Sequence, residues 1–392
     1  MDKSILSEEI QSFISSNINA EISKLALQKN KFSSADLVSV LNQIASKQKA
    51  KIKLPTWFNA QNIIYPTKIS IEQTSSEKTA QYKSLLVSGE KLIDLTGGFG
   101  VDDYYFSKTV NQIIHCEINE ELSNIVAHNF AQLEVKNIEC IAGNSSEILV
   151  TLKQKFDWIF IDPSRRNDSK GKVFMLQDCS PNVPELLNFY FEFASSIMIK
   201  TAPILDISAG LIELNNVKAI HIIAVDNEVK ELLWILEKNY AKSVQILTCN
   251  LKKNGNEKFA FENKKNTIPN YSLPKKYLYE PNAAIMKSGG FDEITSQLKV
   301  EKLQQHSHLY TSDLMIDFPG RIFEIENCIE YNKQNMKTFL ENRKVNITTR
   351  NFPETVENIR KKWKIKDGGN LYCFFTTDAN NNKIVLLCSK LK

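Results

Sequence analysis

The residues of this chain with the clearest chemical potential form a glycine-rich loop directly after an apolar strand. A predicted strand at Leu92–Leu95 runs into a segment that reads Asp-Leu-Thr-Gly-Gly-Phe-Gly from Asp94 to Gly100. Glycines let a backbone turn sharply and approach a ligand closely at the carboxyl edge of a parallel sheet. The segment therefore predicts a site for a nucleotide-like cofactor. Its expected contact residues are Asp94, Gly97, Gly98 and Gly100.

The residues that follow this loop discriminate between cofactors. A dinucleotide fingerprint would place a third glycine at position 103, where this chain has Asp103 preceded by Asp102. Carboxylates at a helix N-terminus would repel a pyrophosphate. S-adenosylmethionine carries no phosphate, and Asp94 can face its cationic amino acid end directly or through water. The pattern therefore favours S-adenosylmethionine over NAD.

Two further positions extend the predicted cofactor site. Glu117 follows the second predicted strand, 17 residues after Gly100, and its carboxylate can accept hydrogen bonds from both ribose hydroxyls. Asn144 follows the third strand and can meet the adenine amine, but an Asx turn is an equally good interpretation of it. We assign Ile118, next to Glu117, to the same cofactor edge.

The fourth predicted strand ends in a segment with both acidic and basic side chains. It reads Asp-Pro-Ser-Arg-Arg from Asp162 to Arg166. Asp162 and Pro163 are expected where the transferred group of the cofactor meets the acceptor, and arginines offer forked donors for phosphate or carboxylate. We predict Asp162 and Arg165 as catalytic residues and Arg165 and Arg166 as substrate-binding residues. A surface turn capped by an aspartate is the alternative.

Other reactive side chains are weaker candidates. Cys179 could act as a thiolate nucleophile, but no Pro-Cys pair follows the fourth strand, so a buried structural role is favoured. His306 and His308 have no cysteine or carboxylate cluster at metal-ligand spacing. We therefore predict no metal site.

A parallel sheet is needed to bring these loops together. Between about residues 91 and 261, short apolar runs alternate with helical stretches, which is the pattern of a doubly wound α/β domain. The fold prediction is a Rossmann-like, seven-stranded doubly wound sheet. The predicted strands are Leu92–Leu95, Ile113–Cys116, Ile138–Ile141, Trp158–Ile161, Ser196–Ile199, Ala219–Val225 and Val244–Thr248. The predicted helices include Glu120–Gln132, Val183–Phe193 and Glu228–Glu237.

The length of 392 residues predicts two or three domains, because single cores usually stop growing at about 250 to 300 residues. Apolar residues at three- and four-residue steps predict an N-terminal helical region over residues 1–54. The sheet domain is expected over residues 55–268. A polar stretch from Lys252 to Lys276 predicts a long loop and linker.

The C-terminal residues 277–392 are predicted to form a small α+β domain. Its predicted strands are Arg321–Glu326, Asn346–Arg350, Leu371–Thr376 and Ile384–Cys388, and its predicted helices are Asn332–Asn342 and Pro353–Trp363.

Composition limits the possible partners and location. The 49 Lys+Arg residues against 45 Asp+Glu give a net charge of +4, too small to indicate nucleic-acid or membrane binding by itself. No secretory pattern opens the chain, and no apolar run reaches the ~18 residues of a membrane span. Seven scattered cysteines indicate neither a disulfide framework nor zinc. We expect a cytoplasmic protein without membrane or metal partners.

Local charge in the C-terminal domain is more informative. Basic residues there greatly outnumber Glu341, Glu354 and Glu357, and such an excess is typical of phosphate binding, although a solvated basic helix face is the alternative. We predict contacts with a substrate by Lys361, Lys362 and Lys364, with Trp363 available for stacking. The basic residues are Lys333, Lys337, Arg343, Lys344, Arg350, Arg360, Lys361, Lys362, Lys364 and Lys366.

Taken together, several segments resemble those of bacterial class I S-adenosylmethionine-dependent methyltransferases with a C-terminal THUMP-like domain. The resemblance covers about residue 55 to the end. The segments that carry it are Gln73-Thr-Ser-Ser-Glu77, Asp94-Leu-Thr-Gly-Gly-Phe-Gly-Val-Asp102, Asp162-Pro-Ser-Arg-Arg166, Asn227-Glu-Val-Lys-Glu-Leu232 and Tyr279-Glu-Pro-Asn-Ala-Ala-Ile-Met-Lys287.

THUMP domains bind RNA, so the resemblance implies an RNA substrate, either transfer or ribosomal RNA. Amino-group methyltransferases of nucleic acids usually have a second proline and an aromatic residue where this chain has Ser164 and Arg165. The acceptor atom is therefore left open. A methyltransferase for a small molecule or protein, and an RNA-binding protein with a non-catalytic pocket, are the alternatives.

Overall fold

The computed structural model describes residues 3–27, 32–165, 175–264 and 267–392. This part of the chain divides into two compact units. The first contains residues 1–218 and 232–241, and the second contains residues 219–231 and 242–392.

The N-terminal part of the first unit is helical, as its apolar periodicity predicts. Its helices are α1 (Glu8–Ser16), α2 (Ile22–Leu27), α3 (Ser34–Lys53), α4 (Pro55–Asn59), α5 (Lys68–Gln73) and α6 (Glu77–Ser84). Ser7, Ser33 and Ser76 cap α1, α3 and α6, because each hydroxyl accepts a hydrogen bond from a backbone N–H of the first turn. The predicted helical region is therefore confirmed.

Strands and helices alternate along the chain between residues 89 and 237. The strands as far as residue 237 are β1 (Gly89–Asp94), β2 (Val110–Glu117), β3 (Ile138–Ala142), β4 (Phe156–Ile161), β5 (Ser164–Arg165), β6 (Cys179–Ser180), β7 (Ala194–Thr201), β8 (Val217–Val225) and β9 (Glu228–Glu237). The helices are α7 (Val101–Phe106), α8 (Glu120–Gln132), α9 (Ser145–Leu152), α10 (Val183–Tyr190) and α11 (Ile207–Glu213).

The first unit's sheet brings the carboxyl ends of its parallel strands to one edge. Its strand order is β9-β7-β4-β1-β2-β3, and the last five of these strands are parallel. Ile93, Ile159 and Ile197 are fully buried, as expected of strands covered on both faces. Asp94 is in register with His115 of β2 and Phe160 of β4. The loops after β1, β2, β3, β4 and β7 therefore meet.

All seven predicted strands are confirmed, but the predicted helix Glu228–Glu237 is wrong. This segment is strand β9, antiparallel to β7. Asp226 and Asn227 both have positive φ, 49° and 67°, which is typical of a two-residue hairpin turn. Six consecutive residues, Glu231 to Leu236, are buried, whereas an amphipathic helix would expose part of each turn. A short continuous apolar run fits a buried strand as well as a helix, so its pattern alone does not decide between them.

The described part of the second unit has two groups of paired strands. Its remaining strands are β10 (Gln245–Leu251), β11 (Glu257–Glu262), β12 (Tyr277–Pro281), β13 (Glu301–Lys302), β14 (Tyr310–Ser312), β15 (Gly320–Glu330), β16 (Asn346–Thr349), β17 (Leu371–Thr377) and β18 (Lys383–Lys390). Strands β11, β10 and β8 are neighbours in that order, and a seven-stranded sheet has the order β13-β14-β12-β15-β18-β17-β16. Strand β11 was not predicted, since it lies in the segment interpreted as a loop.

Four helices complete the second unit. They are α12 (Ala283–Ser288), α13 (Phe291–Leu298), α14 (Lys333–Phe339) and α15 (Val356–Trp363). The α+β prediction for the C-terminal residues is confirmed, including all four of its strands and both helices. In the part of the chain that the structure describes, no helix combines the length and apolar character needed to cross a membrane.

Candidate functional site

Two glycines of the loop after β1 are required for different structural reasons. A Cβ added at Gly97 would lie 2.1 Å from the nearest ring atom of His115, so a side chain there would collide with the protein itself. A Cβ added at Gly98 would meet only the Thr96 carbonyl oxygen, at 3.7 Å. Gly98 has a φ of +55°, which favours glycine. The loop is therefore supported by His115 and leaves open space beside Gly98.

Glu117, at the end of β2, is held in place by the backbone. Its Oε2 accepts a hydrogen bond from the Gly98 N–H at 3.0 Å, and its Oε1 accepts one from the Asn119 N–H at 2.8 Å. Each carboxylate oxygen has a second acceptor position. A ligand with two adjacent hydroxyls can therefore donate to both oxygens. The neighbouring Ile118 side chain is 78% exposed, so an apolar surface lies next to this carboxylate.

Asn144 caps the helix that follows β3. Its Oδ1 accepts hydrogen bonds from the Ser146 N–H at 2.9 Å and the Glu147 N–H at 3.4 Å. These contacts are those of the Asx interpretation. Contact of Asn144 with an adenine stays a prediction.

Asp94 is a buried carboxyl group at the base of the loop. The backbone N–H and the hydroxyl of Thr96 donate to its Oδ1 at 2.7 and 3.1 Å. Burial and the nearby Asp103 raise the pKa of Asp94 well above its usual value. A positive ligand group would stabilise the ionised form of this side chain.

Asp102 and Asp103 begin helix α7 and are themselves buried. Asp102 pairs with the fully buried Lys83 at 3.2 Å and accepts a hydrogen bond from the Ser75 hydroxyl at 2.7 Å. Asp103 contacts Nδ1 of His115 at 2.6 Å. Three acidic side chains thus lie at the loop beside one buried ammonium group. This imbalance favours a cationic ligand and disfavours a phosphate.

Sequence reasoning missed the roles of Ser75, Lys83 and His115. Ser75 lies in the Gln73-to-Glu77 segment, which was recognised by resemblance alone. Glu77, at the end of the same segment, accepts hydrogen bonds from the N–H and hydroxyl of Thr56 and from the Tyr105 hydroxyl, the last at 2.7 Å. Ser75 and Lys83, which are polar residues before the loop, and His115, which is a titratable residue in an apolar strand, were the available signals. Only the fold shows what they contact.

Asp162 directly follows β4, at the carboxyl end of that strand. Its backbone N–H donates to the Thr96 hydroxyl at 2.7 Å, which ties it to the glycine loop. Its carboxylate forms an ion pair with Lys200, at the end of β7. Sequence reasoning missed Lys200, although a lysine near the end of an apolar strand was a usable signal. The pair exists because β4 and β7 are adjacent parallel strands.

The residues after Asp162 are only partly described. Pro163 and Ser164 follow it, and the backbone of Arg165 pairs with Cys179 in the short β5–β6 ladder. The side chain of Arg165 and the whole of Arg166 lie outside the described residues. Their predicted substrate contacts stay predictions. Cys179 is fully buried, in agreement with the structural role favoured for it.

The basic residues of the C-terminal domain differ in their exposure and in their ion pairs. Lys361 and Lys364 are exposed, whereas Lys362 pairs with Glu354 at 3.1 Å and lies 3.1 Å from the Tyr331 hydroxyl. Trp363 is only 7% exposed and belongs to an apolar core, so its expected stacking on a substrate is wrong. Its helical position turns it inward, between two lysines that point toward solvent.

Five of the exposed basic residues lie at the end of α15 and in the paired segments beside β16, which is an edge strand of the C-terminal sheet. The Lys366 N–H donates to the Arg343 carbonyl at 2.9 Å, and Lys344 and Lys366 form a β-bridge. Lys361 and Lys364 lie at the end of α15, directly before this bridge. We call this group the basic edge. It consists of Arg343, Lys344, Lys361, Lys364 and Lys366.

Comparisons with known proteins identify the C-terminal domains. A family model described as a ferredoxin-like domain matches residues 277–319, and one described as THUMP domain-like matches residues 320–390. No curated protein sequence matches the chain.

Two solved structures match part of the chain. An rRNA methylase from Streptococcus thermophilus has 14% identity and a TM-score of 0.29, covering 41% of this chain and 94% of its own. TrmK from M. capricolum, in complex with S-adenosylhomocysteine, has 17% identity and a TM-score of 0.32, covering 42% and 70%. At these identities and TM-scores, neither match shows which family this chain belongs to.

The structure of a putative methyltransferase from Porphyromonas gingivalis W83 matches far more completely. It has 31% sequence identity and a TM-score of 0.88, and the match covers 100% of this chain and 99% of that chain. The expected resemblance is thereby confirmed. This chain belongs to the same family, that of methyltransferases with a Rossmann-like sheet, a ferredoxin-like domain and a C-terminal THUMP-like domain.

Proposed function

We propose that the protein transfers a methyl group from S-adenosylmethionine to transfer or ribosomal RNA. The observation that carries the choice of cofactor is the Glu117 carboxylate, which the Gly98 and Asn119 N–H groups hold beside the open face of the loop. The THUMP-like match over residues 320–390 and the basic edge support RNA as the acceptor.

The chain's residues fit S-adenosylmethionine on chemical grounds. Asp94 presents a buried acidic group to a ligand ammonium, and Glu117 presents two free acceptor positions to ribose hydroxyls. Ile118 and Asn144 are assigned to the adenine. When bound, the cofactor supplies a methyl group on a positively charged sulfur. The loop's acidic side chains suit that charge, and no phosphate-binding group is needed.

Asp162 is the proposed acceptor-side residue. Thr96 holds its backbone and Lys200 holds its carboxylate, so the carboxylate can accept a hydrogen bond from the group to be methylated. Catalysis is then mainly alignment of that group with the reactive methyl carbon. Pro163 is assigned to the cofactor side, and Arg165 and Arg166 to a substrate phosphate.

The basic edge is proposed to hold the RNA backbone. Lys361 and Lys364 present their ammonium groups to solvent, and phosphate contacts of this kind supply most non-specific affinity. Lys362 is expected to contribute less than Lys361 and Lys364, since its ammonium group is already paired with Glu354.

The experiment that tests this function uses RNA from cells that lack the gene. The full-length protein is incubated with that RNA and S-adenosylmethionine carrying a deuterated methyl group, and the RNA is digested to nucleosides for mass spectrometry. One labelled nucleoside is expected, and none with the Asp162→Ala variant. Label in protein or small molecules without label in RNA would contradict the choice of substrate.

A further inference from the structure

A cluster of titratable side chains lies buried against the glycine loop, and the proposed reaction does not use all of it. Asp94 is 2% exposed, and Asp103 and His115 are fully buried. The His115 ring packs directly against Gly97. Asp94 is in register with His115 of β2, and Asp103 contacts the ring of the same His115 at 2.6 Å. The buried Oδ1 of Asp103 has no hydrogen-bond partner among the described residues.

Two carboxyl groups in this arrangement need a proton between them. An ionised carboxylate has only acceptors, so a hydrogen bond between two such groups exists only when one of them is protonated. Burial raises the pKa of both Asp94 and Asp103 well above the usual range, and neighbouring carboxylates add to the rise. Like charges this close in a dry site do not both ionise.

His115 does not neutralise this pair by carrying a charge. Burial lowers the pKa of His115, although the nearby Asp94 and Glu117 oppose that shift. The neutral ring donates its Nδ1–H to Asp103 at 2.6 Å. Its Nε2 has no hydrogen-bond partner in the described part of the chain, which suits a neutral ring whose second nitrogen carries no proton.

The other titratable groups around the cluster are already balanced or neutral. Asp102 is paired with Lys83 at 3.2 Å. Burial raises the pKa of the Cys116 thiol, and it raises that of Cys140 to about 12, so both thiols are protonated near neutral pH. Glu117 is partly exposed, with its carboxylate held by two N–H groups. The proton of the aspartate pair is therefore the one most open to displacement by a cation.

We propose that Asp94 and Asp103 share one proton in the cofactor-free protein, and that binding of the cofactor's ammonium group at Asp94 expels this proton. The step breaks one carboxyl O–H bond and passes the proton to solvent. The ammonium group keeps its own protons and donates hydrogen bonds to the ionised carboxylate. His115 continues to donate to Asp103. The inference rests on the proposed function, since it takes S-adenosylmethionine as the cofactor.

Proton release makes cofactor affinity depend on pH in a defined direction. The empty site binds one more proton than the occupied site, so affinity rises with pH as long as the aspartate pair is protonated. The rise approaches tenfold per pH unit for release of one full proton. It levels off above the raised pKa of the pair.

Titration calorimetry on the full-length protein tests the proposal with S-adenosylhomocysteine, which has the same amino acid end. Titrations at one pH in buffers of different ionisation heat give the number of protons released. We expect about one proton for S-adenosylhomocysteine and none for methylthioadenosine, which lacks the ammonium group. Binding heat that is the same in every buffer, or equal release with both ligands, would overturn the proposal.

The same titrations separate this proposal from the proposed function. If S-adenosylhomocysteine does not bind at all, both are wrong. If it binds without releasing a proton, the cofactor assignment stands and only the shared proton is wrong.

A matched pair of variants locates the proton. Asp103→Asn removes one carboxyl group with little change in size. We expect proton release to fall well below one and the pH dependence of affinity to weaken, because the charge of Asp103 then no longer raises the pKa of Asp94. Asp157→Asn is the control, because Asp157 accepts hydrogen bonds from the Glu90 and Lys91 N–H groups outside the cluster. Full release from a folded Asp103→Asn variant would contradict the assignment. If that variant does not fold, the comparison of the two ligands on the wild type decides.

Discussion

Asp162 and Glu117, the proposed acceptor-side and cofactor-side residues, are each held in place by neighbouring groups. Asp162 is fixed from two directions, by the Thr96 hydroxyl and by Lys200. Glu117 is fixed by two backbone N–H groups. A group held in this way loses little freedom when a ligand binds. We expect substitution of Asp162 to affect methyl transfer and substitution of Glu117 to affect cofactor binding.

Replacing Asp162 should affect transfer and not cofactor binding. We expect Asp162→Ala to abolish methyl transfer while the cofactor dissociation constant stays within roughly tenfold, about 1.4 kcal/mol, because the carboxylate acts on the acceptor. A tritiated-methyl assay and calorimetry measure the two effects. Asp178→Ala, which removes an exposed carboxylate nearby, should transfer normally. Wild-type activity of Asp162→Ala would exclude it from the mechanism.

Lys200 should act through Asp162 as a positioning residue. Lys200→Met is expected to lower kcat at least tenfold with little change in the KM for the cofactor, since an unheld carboxylate aligns the acceptor poorly. Lys200→Arg retains the charge and should restore part of the rate. Steady-state kinetics of the three proteins distinguishes this role from loss of stability, which would lower the active fraction without rescue by arginine.

Glu117 should contribute to cofactor affinity. A glutamine at this position can accept only one of the two backbone hydrogen bonds, because its amide nitrogen is a donor. We expect Glu117→Gln to weaken cofactor binding by about 2 kcal/mol, roughly thirtyfold. The control Glu120→Gln, three residues later and exposed, should bind as wild type does. Equal affinity of both variants in calorimetry would remove Glu117 from the site.

At the scale of elements, one acidic residue joins segments that are distant in sequence. Glu257 of β11 accepts hydrogen bonds from Asn250 at 3.0 Å and from Asn282 at 3.2 Å. Asn250 also accepts from the N–H of Asn227, whose side chain accepts from the N–H of Ala283 at 2.8 Å. The β8–β9 turn, β10, β11 and the start of α12 thus share one polar network. Residues of two family-like segments, Asn227 of one and Asn282 and Ala283 of the other, belong to this network.

Breaking this network should destabilise the protein. Although burial opposes it, hydrogen bonds from Asn250, Lys252 and Asn282 lower the pKa of Glu257. We expect Glu257→Gln to lower the free energy of unfolding by about 1 to 3 kcal/mol. Urea denaturation at neutral pH measures this loss. The control is Glu262→Gln on the same strand, where an exposed pair with Lys264 should contribute nothing measurable.

The stability difference between the wild type and Glu257→Gln should depend on pH, because the pKa of Glu257 is lowered in the folded protein. A carboxyl group with a lowered folded-state pKa stabilises the fold fully above its unfolded pKa, and this stabilisation is lost as pH falls through the folded value. The wild type and Glu257→Gln should therefore converge in stability below the ordinary carboxyl range. A difference that persists unchanged in acid would show that the charge of Glu257 is not its cause.

For the whole molecule, the property most relevant to the proposed RNA binding is the distribution of basic charge. The net charge of +4 is small, but the basic edge gathers five cationic residues within the THUMP-like match. RNA binding by such a surface depends on release of counterions. Its contribution can therefore be measured as a slope against salt concentration.

Reversing two charges of the basic edge should weaken RNA binding. We expect Lys361→Glu with Lys364→Glu to lower affinity for RNA and to reduce the slope of log affinity against log salt by about 1.4, as for two lost contacts with single-stranded phosphates. Gel-shift titrations at several salt concentrations measure both quantities. The control, Lys136→Glu with Lys153→Glu, changes the net charge equally. If the two double variants bind RNA alike, the basic edge is not the RNA-binding surface.

The sequence by itself determined the parallel strands β1 to β4 and β7 and the loops that end them. Apolar runs, glycines and a following carboxylate are local signals, and parallel strands place their carboxyl ends at one edge whatever their order. The loop at Asp94, the carboxylate of Glu117 and the segment at Asp162 were predictable for this reason. Their contacts with a ligand stay predictions.

Tertiary structure decided which residues face one another and which are buried. Lys200 reaches Asp162 only because β7 lies beside β4, and His115 reaches Asp103 only because α7 packs on β2. The run from Glu231 to Leu236 is a strand because it is covered on both faces, and Trp363 is core because α15 turns it inward. Strand order and burial arise from packing between distant parts of the chain, and local sequence patterns do not contain that information.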